Sequence, residues 1–469
     1  MLQRINAHDN VESNLDLDLA SILKGDLKDL AKEKNGLHNR LRSIHDDADF
    51  VDSVHREHYG HFPIVPNLRC GSWYVDPTVP QCVQIPAYFK STDGHLNNWD
   101  FNLRRSNLHL LSRIEEKGGI IIVDSTRRGK RFPDALSKTV PIWCCVVNRA
   151  VALKFGLLTS FDINLYSPTS AVSRSEHSQI EQRLEGWTSK LSDSTFEIPR
   201  LLKPLRPIWI SPATPALPQL KDDLDFYPVI CLSASEHVEN GIERRNGYSY
   251  VQGSGDDHES WSQGLTPALF WQNKAAIRTT PPWMIESFVS NIVASLPQST
   301  AVPSTLQSMD PIVKVHSLIS LGNSMETDPS KATIFISPTN DTNSAASPQV
   351  LWLRIPSGKV GQLDLMKALT RAIAFARMHL DAGTPVDIAG DDVSDVCTGV
   401  AMAVLQALFR DDGDYLGQPT SIEEISKQSI RKRLQWIQQS LQHVNPSKVT
   451  MNRVNEYFLS PPSMRSKLR

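Results

Sequence analysis

Apolar residues along this chain fall at two spacings, and each spacing predicts a different element. Leu15, Leu19, Ile22, Leu23, Leu27 and Leu30 recur at helical intervals among Asp, Lys and Glu, which predicts a peripheral helical arm over residues 1–50. Leu103, Leu108, Leu111 and Ile114 predict a further helix, ended by Gly118-Gly119. The run Ile120-Ile121-Ile122-Val123 that follows is short, apolar and mostly β-branched, the pattern of a buried strand. Beyond residue 312, Val350–Leu353 and Val386–Ala389 predict strands, and Leu365, Leu369, Ile373 and Ala376 a helix. A long apolar helix is expected from about Cys397 to Phe409. Two terminal helices follow, carried by Ile430, Leu434, Ile437 and Leu441 and by Val449, Val454 and Phe458. Residues 297–311 are rich in Pro, Ser and Thr and read as a linker, and the polar stretch 338–348 as a mobile loop. The chain therefore reads as α/β (α+β), with a large N-terminal domain over 1–296 and a smaller α/β domain over 312–469.

Composition narrows the function classes. With 469 residues, 40% of them apolar, each domain can bury a core of its own. A net charge of −2 excludes a protein that coats nucleic acid through a global field, so any RNA site must be a local basic patch. The six cysteines show no C-x-x-C spacing, which argues against a zinc ribbon or a redox pair. The first fifty residues lack the apolar core of a targeting signal, and no apolar run of membrane-spanning length is evident. A soluble, cytoplasmic protein is the expectation.

Chemistry concentrates at the end of the predicted strand. Asp124, Ser125 and Thr126 are followed by Arg127, Arg128, Gly129, Lys130 and Arg131, and Pro133-Asp134 marks the start of a helix that carries Lys138. A charge cluster where a buried strand meets a helix N-terminus is a ready cradle for phosphate. A second block, Lys90-Ser91-Thr92-Asp93-Gly94-His95, packs a cation, two hydroxyls, a carboxylate and an imidazole into six residues. A third, Gly253-Ser254-Gly255-Asp256-Asp257, sets adjacent carboxylates beside glycines, a pattern suited to magnesium. Ser173-Arg174-Ser175-Glu176-His177 is polar without an evident structural need. Neither a G-x-x-x-x-G-K-[ST] loop nor a G-x-G-x-x-G fingerprint is present, which disfavours ordinary ATPase or dinucleotide chemistry. The residues alone point to a bound polyphosphate.

The blocks GSWYV, YFKSTDGH, IIIVDSTRRGKRFPDALSKTVPIWC, AVSRSEHSQI and GDDHESWSQGLTPALFW, with the tail segments IRKRLQWI and NPSKVT, resemble the fungal and plant initiator-tRNA 2′-O-ribosylphosphate transferases. The resemblance runs through nearly the whole chain. It implies transfer of the 5-phosphoribosyl group of phosphoribosyl pyrophosphate to a 2′-hydroxyl in the T-stem of initiator tRNA, which keeps that tRNA out of elongation. It also implies a magnesium-dependent enzyme, here expected to be a monomer. Under that reading Lys90, Ser91, Thr92, Ser125, Thr126, Arg127, Arg128, Gly129, Lys130, Arg131, Lys138 and Arg174 bind substrate, and Asp256 and Asp257 hold the metal. Asp93, His95, Asp124 and His177 remain alternative general bases for a 2′-hydroxyl that is a poor nucleophile on its own. An inactive tRNA-binding protein and a phosphatase are the rival readings.

The smaller domain looks like a dual-specificity, cysteine-type phosphatase. In such folds a strand leads to a loop with a nucleophilic Cys, a Gly three residues on and an Arg six residues on. Here those positions hold Gly390, Val393 and Val396, with Asp391, Asp392 and Asp395 nearby to repel phosphate. Nucleophile and anion-binding Arg are both missing. Cys397 reads as a small buried residue. Lys427, Arg431, Lys432 and Arg433 cluster near a helix start and are expected to contact RNA.

Overall fold

The computed structural model describes residues 36–460, apart from 69, 128, 159–160, 222, 257, 296–308, 325, 327, 339–346, 357, 418–424 and 442–443. Two sheets organise it. In the large domain β1 (Ile64–Pro66), β2 (Ile120–Asp124), β4 (Tyr227–Ser233) and β3 (Leu205–Ile210) lie side by side in that order, and every neighbouring pair is parallel. Such a sheet needs cover on both faces, and alternate residues supply it. Ile120 and Ile122 join one apolar cluster with Val229 and Cys231, while Ile121 and Val123 join the other with Ile230 and Leu232. A small antiparallel hairpin, β5 (Ile242–Arg245) and β6 (Tyr248–Val251), stands apart from the sheet.

The first face is closed by α2 (His109–Lys117), α3 (Val140–Phe155) and α5 (Leu184–Ser192), with α4 (Arg174–Glu181) just ahead of α5. Leu103 and Leu108 fall outside α2, Leu103 in a separate short turn, and Gly118 caps that helix in the left-handed region. The second face is closed by α1 (Leu37–His58) together with α6 (Pro267–Gln272), α7 (Lys274–Thr279) and α8 (Ile285–Ala294). The expectation of a peripheral N-terminal arm is corrected here. Leu37, Leu41, Ile44, Val51 and Val54 of α1 are buried against the sheet, so this helix is a layer of the core. The apolar positions that suggested the arm, Leu15 to Leu30, lie outside the described residues.

The expectation of no membrane-length apolar run also needs correction. Residues 135–155 make one helix of 21 residues, apolar and long enough to span a bilayer, but 89% of its most apolar window is buried inside the large domain. Its apolar character follows from serving as the central core helix.

The small domain has the strand order β10 (Val350–Arg354), β9 (Ala332–Ser337), β11 (Val386–Gly390), β8 (Ile319–Gly322) and β7 (Met309–Pro311), with only β7 antiparallel to its neighbour. Residues 309–311, read as linker, thus form an edge strand of this domain. Its core is built with α9 (Gly358–Asp381), α10 (Thr398–Leu408), α11 (Lys427–Ser440) and α12 (Lys448–Leu459). Every residue of α10 is buried, including the polar Thr398 and Gln406.

Candidate functional site at the carboxyl end of the parallel sheet

In open parallel sheets, ligand sites form beyond the carboxyl ends of the strands, and all four strand ends of the large domain meet here. β2 runs into Asp124, whose carboxylate is fully buried and accepts from Asn67 Nδ2 at 2.9 Å, Cys70 Sγ at 2.9 Å and the Ser125 amide at 2.8 Å. Asn67 follows β1 and also clasps Phe89, donating to its carbonyl and accepting from its amide, both at 2.8 Å. One buried amide side chain therefore ties the 124–131 loop to the segment that leads into Lys90–His95. Beyond β3, Ser211 and Thr214 accept from Arg131 Nε at 2.7 Å and Nη2 at 3.2 Å. Beyond β4, Ser235 Oγ lies 2.6 Å from Ser125 Oγ.

The glycine-rich loop docks onto the same place. Gln252 donates to the Lys130 carbonyl at 2.8 Å, and the Gly253 amide donates to Ser235 Oγ at 3.2 Å. Gly253 has φ +67°, and a Cβ there would lie 2.6 Å from the Thr126 carbonyl oxygen, so the approach of the two loops needs glycine. Behind them sits a carboxylate the sequence did not flag. Asp47 of α1 is buried and accepts from Ser235 at 2.5 Å and Tyr250 at 2.6 Å. Burial pushes its carboxyl up to about 8, against the pull of those two hydroxyls.

Beyond the loop, a π-helical turn over Ala135–Thr139 runs straight into α3 and points its N-terminus at the loop. Asp134 just ahead of it is the hub of an ion cluster that sequence reasoning left out of the site. It takes Lys130 at 2.7 Å and Lys138 at 3.0 Å, with His95 Nε2 at 3.7 Å. Lys138 also pairs with Glu176 at 2.9 Å, and Trp99 Nε1 donates to that carboxylate at 3.1 Å. Burial opposes the charge on both Asp134 and Lys138, but their mutual hydrogen bonds and those of Lys130 and Glu176 outweigh it. Asp134 therefore titrates below the usual carboxylate range and Lys138 above the usual amine range. The polar stretch at 173–177 is explained by the same contacts: Ser173 caps α4, and Glu176 faces Lys138. Only the fold reveals this, since Lys138 and Glu176 are far apart in the chain.

The four possible bases separate on geometry. Asp93 is held by Arg105, whose Nη2 lies 2.5 Å away. Asp124 has its acceptor sites taken deep in the fold. His177 turns Nδ1 to Ser167 at 2.7 Å and Nε2 toward Glu181 at 3.5 Å. His95 is half exposed, with Nε2 3.7 Å from the Asp134 carboxylate, and of the four it is the most open to solvent. Among the substrate-binding candidates, Lys90 and Thr92 are exposed, as is Arg174, while Ser91 Oγ is buried with no hydrogen-bond partner among the described residues. Thr126 is nearly buried against the glycine loop, Gly129 sits at φ +81°, and Arg128 lies outside the described residues. Lys138 is corrected from an open substrate contact to an internal partner, since its charge is shared between two carboxylates.

Of the proposed metal pair, only Asp256 falls among the described residues. Asp256 accepts from Arg127 Nε at 2.9 Å, and Asp257 lies outside the described residues. Among the described residues no group of three His, Cys, Asp or Glu side chains could hold a metal ion.

In the small domain β11 leads through Asp391 and Asp392 into another π-helical turn, Val393–Cys397. A Cβ at Gly390, the nucleophile position, would lie 2.9 Å from Cys397 Sγ, so the place of a phosphatase nucleophile is filled. Cys397 is fully buried and burial drives its thiol pKa up, which leaves it inert. Within the basic cluster on α11, Lys427 and Arg431 are exposed, whereas Arg433 is corrected to an internal partner. Arg433 is 2% exposed, pairs with Asp411 at 2.9 Å, donates to the Phe409 carbonyl and stacks over Trp436, while Lys432 takes the other oxygen of Asp411. Arg433 is thus an internal structural cation, and Lys432 a surface partner of the same carboxylate.

Two family models match this chain. A family model described as the Rit1 N-terminal domain matches residues 30–294, and one described as the Rit1 DUSP-like domain matches 349–458. The chain is 34% identical to an uncharacterized protein of Schizosaccharomyces pombe, covering 90% of this chain and 94% of that one. It is 30% identical to the tRNA A64-2′-O-ribosylphosphate transferase of Saccharomyces cerevisiae, covering 96% of each. Among solved structures, human DUSP28 is 14% identical, covering 34% of this chain and 98% of its own, with a TM-score of 0.24. On the family models and the near full-length relatives together, the chain belongs to the Rit1 family.

Proposed function

We propose that this protein transfers a 5-phosphoribosyl group from phosphoribosyl pyrophosphate to a 2′-hydroxyl in the T-stem of initiator tRNA. The observation that carries the reading is the match, over 96% of both chains, to a tRNA A64-2′-O-ribosylphosphate transferase. The geometry supports it. Displacing pyrophosphate from an anomeric carbon builds charge on the leaving group, and preorganised cations stabilise that charge most where water is excluded. Arg131 is the cation best suited to this task. It is anchored by two hydroxyls and forms no ion pair with a carboxylate among the described residues, so its charge stays available to a phosphate. The N-terminus of the 135–155 helix adds its dipole on the same side.

His95 is the general base in this reading. It takes the proton of the attacking 2′-hydroxyl, and Asp134 steadies the imidazolium. Magnesium enters with the donor's pyrophosphate rather than on a ligand set of the protein. The enzyme acts as a monomer in the cytoplasm, and the modification withholds the tRNA from elongation.

The test is transfer from labelled phosphoribosyl pyrophosphate to initiator and elongator methionine tRNA. Label on the initiator alone supports the reading, and no transfer by folded protein across a magnesium series refutes it. Arg131→Ala should lower kcat/KM by about 10²–10³ with the melting temperature nearly unchanged.

A further inference from the structure

A cleft of about 1170 Å³ opens between the two domains and is distinct from the phosphate loop. Lysines and arginines outnumber carboxylates along it, four to two. Arg104, Lys154 and Lys314 line it, and none of the three forms an ion pair with a carboxylate among the described residues. Arg104 donates to Asn445 Oδ1 at 3.0 Å and to the Pro446 carbonyl, and Lys154 donates to the Ile198 carbonyl at 2.9 Å. These neutral acceptors orient the cations without neutralising them. Burial and the like charges of Arg105 and Arg431 press the Arg104 pKa down, as expected where cations crowd one another. Two carboxylates also line the cleft. Glu197 forms no ion pair among the described residues, and Asp412 lies 3.8 Å from Arg410. In a chain of net charge −2, this is a local surplus of positive charge.

A second feature narrows the anion. Gln438 on α11 lines the cleft, is 7% exposed and spends its Nε2 on the Arg104 and Val444 carbonyls. Its Oε1 is buried with no partner among the described residues. A buried acceptor without a donor is costly, and it fits a ligand that brings hydroxyl donors along with its phosphates. RNA carries both, and the ribose 2′-hydroxyl is what distinguishes it from DNA. One ion pair links the cleft wall to the block that carries His95. Tyr88 and Arg105 line the cleft, and Arg105 pairs with Asp93, two residues from His95.

We propose that this interdomain cleft seats a stretch of the tRNA sugar–phosphate backbone, with Lys154 on the large domain, Lys314 and Gln438 on the small one, and Arg104 between them. The proposal rests on the tRNA reading above and gives the phosphatase-like domain a role that its closed loop does not.

The experiment uses the full-length protein and an initiator tRNA transcript, with binding measured over a salt series. Lys154→Gln with Lys314→Gln should weaken binding and reduce the slope of log affinity against log salt by roughly two units. Affinity for phosphoribosyl pyrophosphate and the melting temperature should stay as in the wild type. Lys221→Gln, which does not line the cleft, is the control and should change the slope less than the cleft pair. An RNA T-arm stem-loop should bind more tightly than its all-deoxy counterpart. Unchanged tRNA affinity and slope in the double variant, while the wild type still modifies tRNA, overturns the cleft assignment and leaves the transferase reading standing. Equal affinity for the RNA and all-deoxy stems overturns the role given to Gln438. A wild type that neither binds nor modifies tRNA overturns both readings.

Discussion

Lys138→Met removes a cation from between two carboxylates while keeping most of the side-chain volume. Lys138 and Asp134 are each 8% exposed and Glu176 is 11% exposed, so the charges left behind stay in a low-dielectric setting. Asp134 retains Lys130, whose side chain is half in solvent, and Glu176 retains the Trp99 indole N–H. Truncating one member of a buried ion pair costs about 3–5 kcal/mol, because the stranded charge remains desolvated. The surviving contact at Asp134 puts this case at the lower end, about 3 kcal/mol. In a domain of this size that corresponds to a fall in Tm of roughly 6–12 °C. Adding Glu176→Gln removes the stranded charge and should recover roughly 1–2 kcal/mol of the loss, since the two sites touch and cannot be additive.

The pH dependence has a definite sign. Asp134 titrates low in the folded state, so its share is present above the ordinary carboxylate pKa of about 3.9 and is lost as pH falls through the depressed value. Lys138 titrates high, so its share is present below the ordinary amine pKa of about 10.4 and is lost as pH rises through the raised value. The gap between wild type and variant should therefore be widest across the neutral range and close toward both extremes. Thermal melts at acid, neutral and alkaline pH measure it. A variant that keeps its Tm but loses transfer activity would refute the reasoning, because Lys138 would then spend its charge on substrate.

His95→Ala should lower kcat by about 10²–10⁴ while leaving tRNA and donor affinities near wild type, and added imidazole should restore part of the rate; equal loss with Asp93→Asn at unchanged stability would move the base to Asp93. Arg433→Ala should cost about 2–4 kcal/mol in chemical denaturation of the full chain, against about 0.5 kcal/mol or less for Arg431→Ala, and equal effects would contradict the burial of Arg433.

Some of this molecule was legible residue by residue. Ile120–Val123 is apolar on both faces, so it had to be a strand covered on both sides, and the charges beginning at Asp124 had to sit at its end. The empty nucleophile position at Gly390 was equally readable, because a missing sulfur needs no fold to be seen. The long apolar helix of the small domain, and Cys397 buried at its start, followed from the same local logic.

What the tertiary structure decided was which charges are spent and which are free. Lys130, Arg131 and Lys138 look alike as sequence. Parallel pairing of the four strands brings Ser211 and Thr214 to Arg131, whereas the helix turn after the loop brings Asp134 to Lys130 and Lys138, and α4 adds Glu176. Arg433 likewise looked like part of a solvated basic face until α11 packed it against Asp411 and Trp436. The partner of Asp256 is also visible only in the fold, where the glycine loop lays it on Arg127. Hydrophobic periodicity is a short-range signal and survives in one dimension. Ion pairing falls off steeply with distance and depends on burial, so the partner and the solvent access of each charge exist only once distant segments have met.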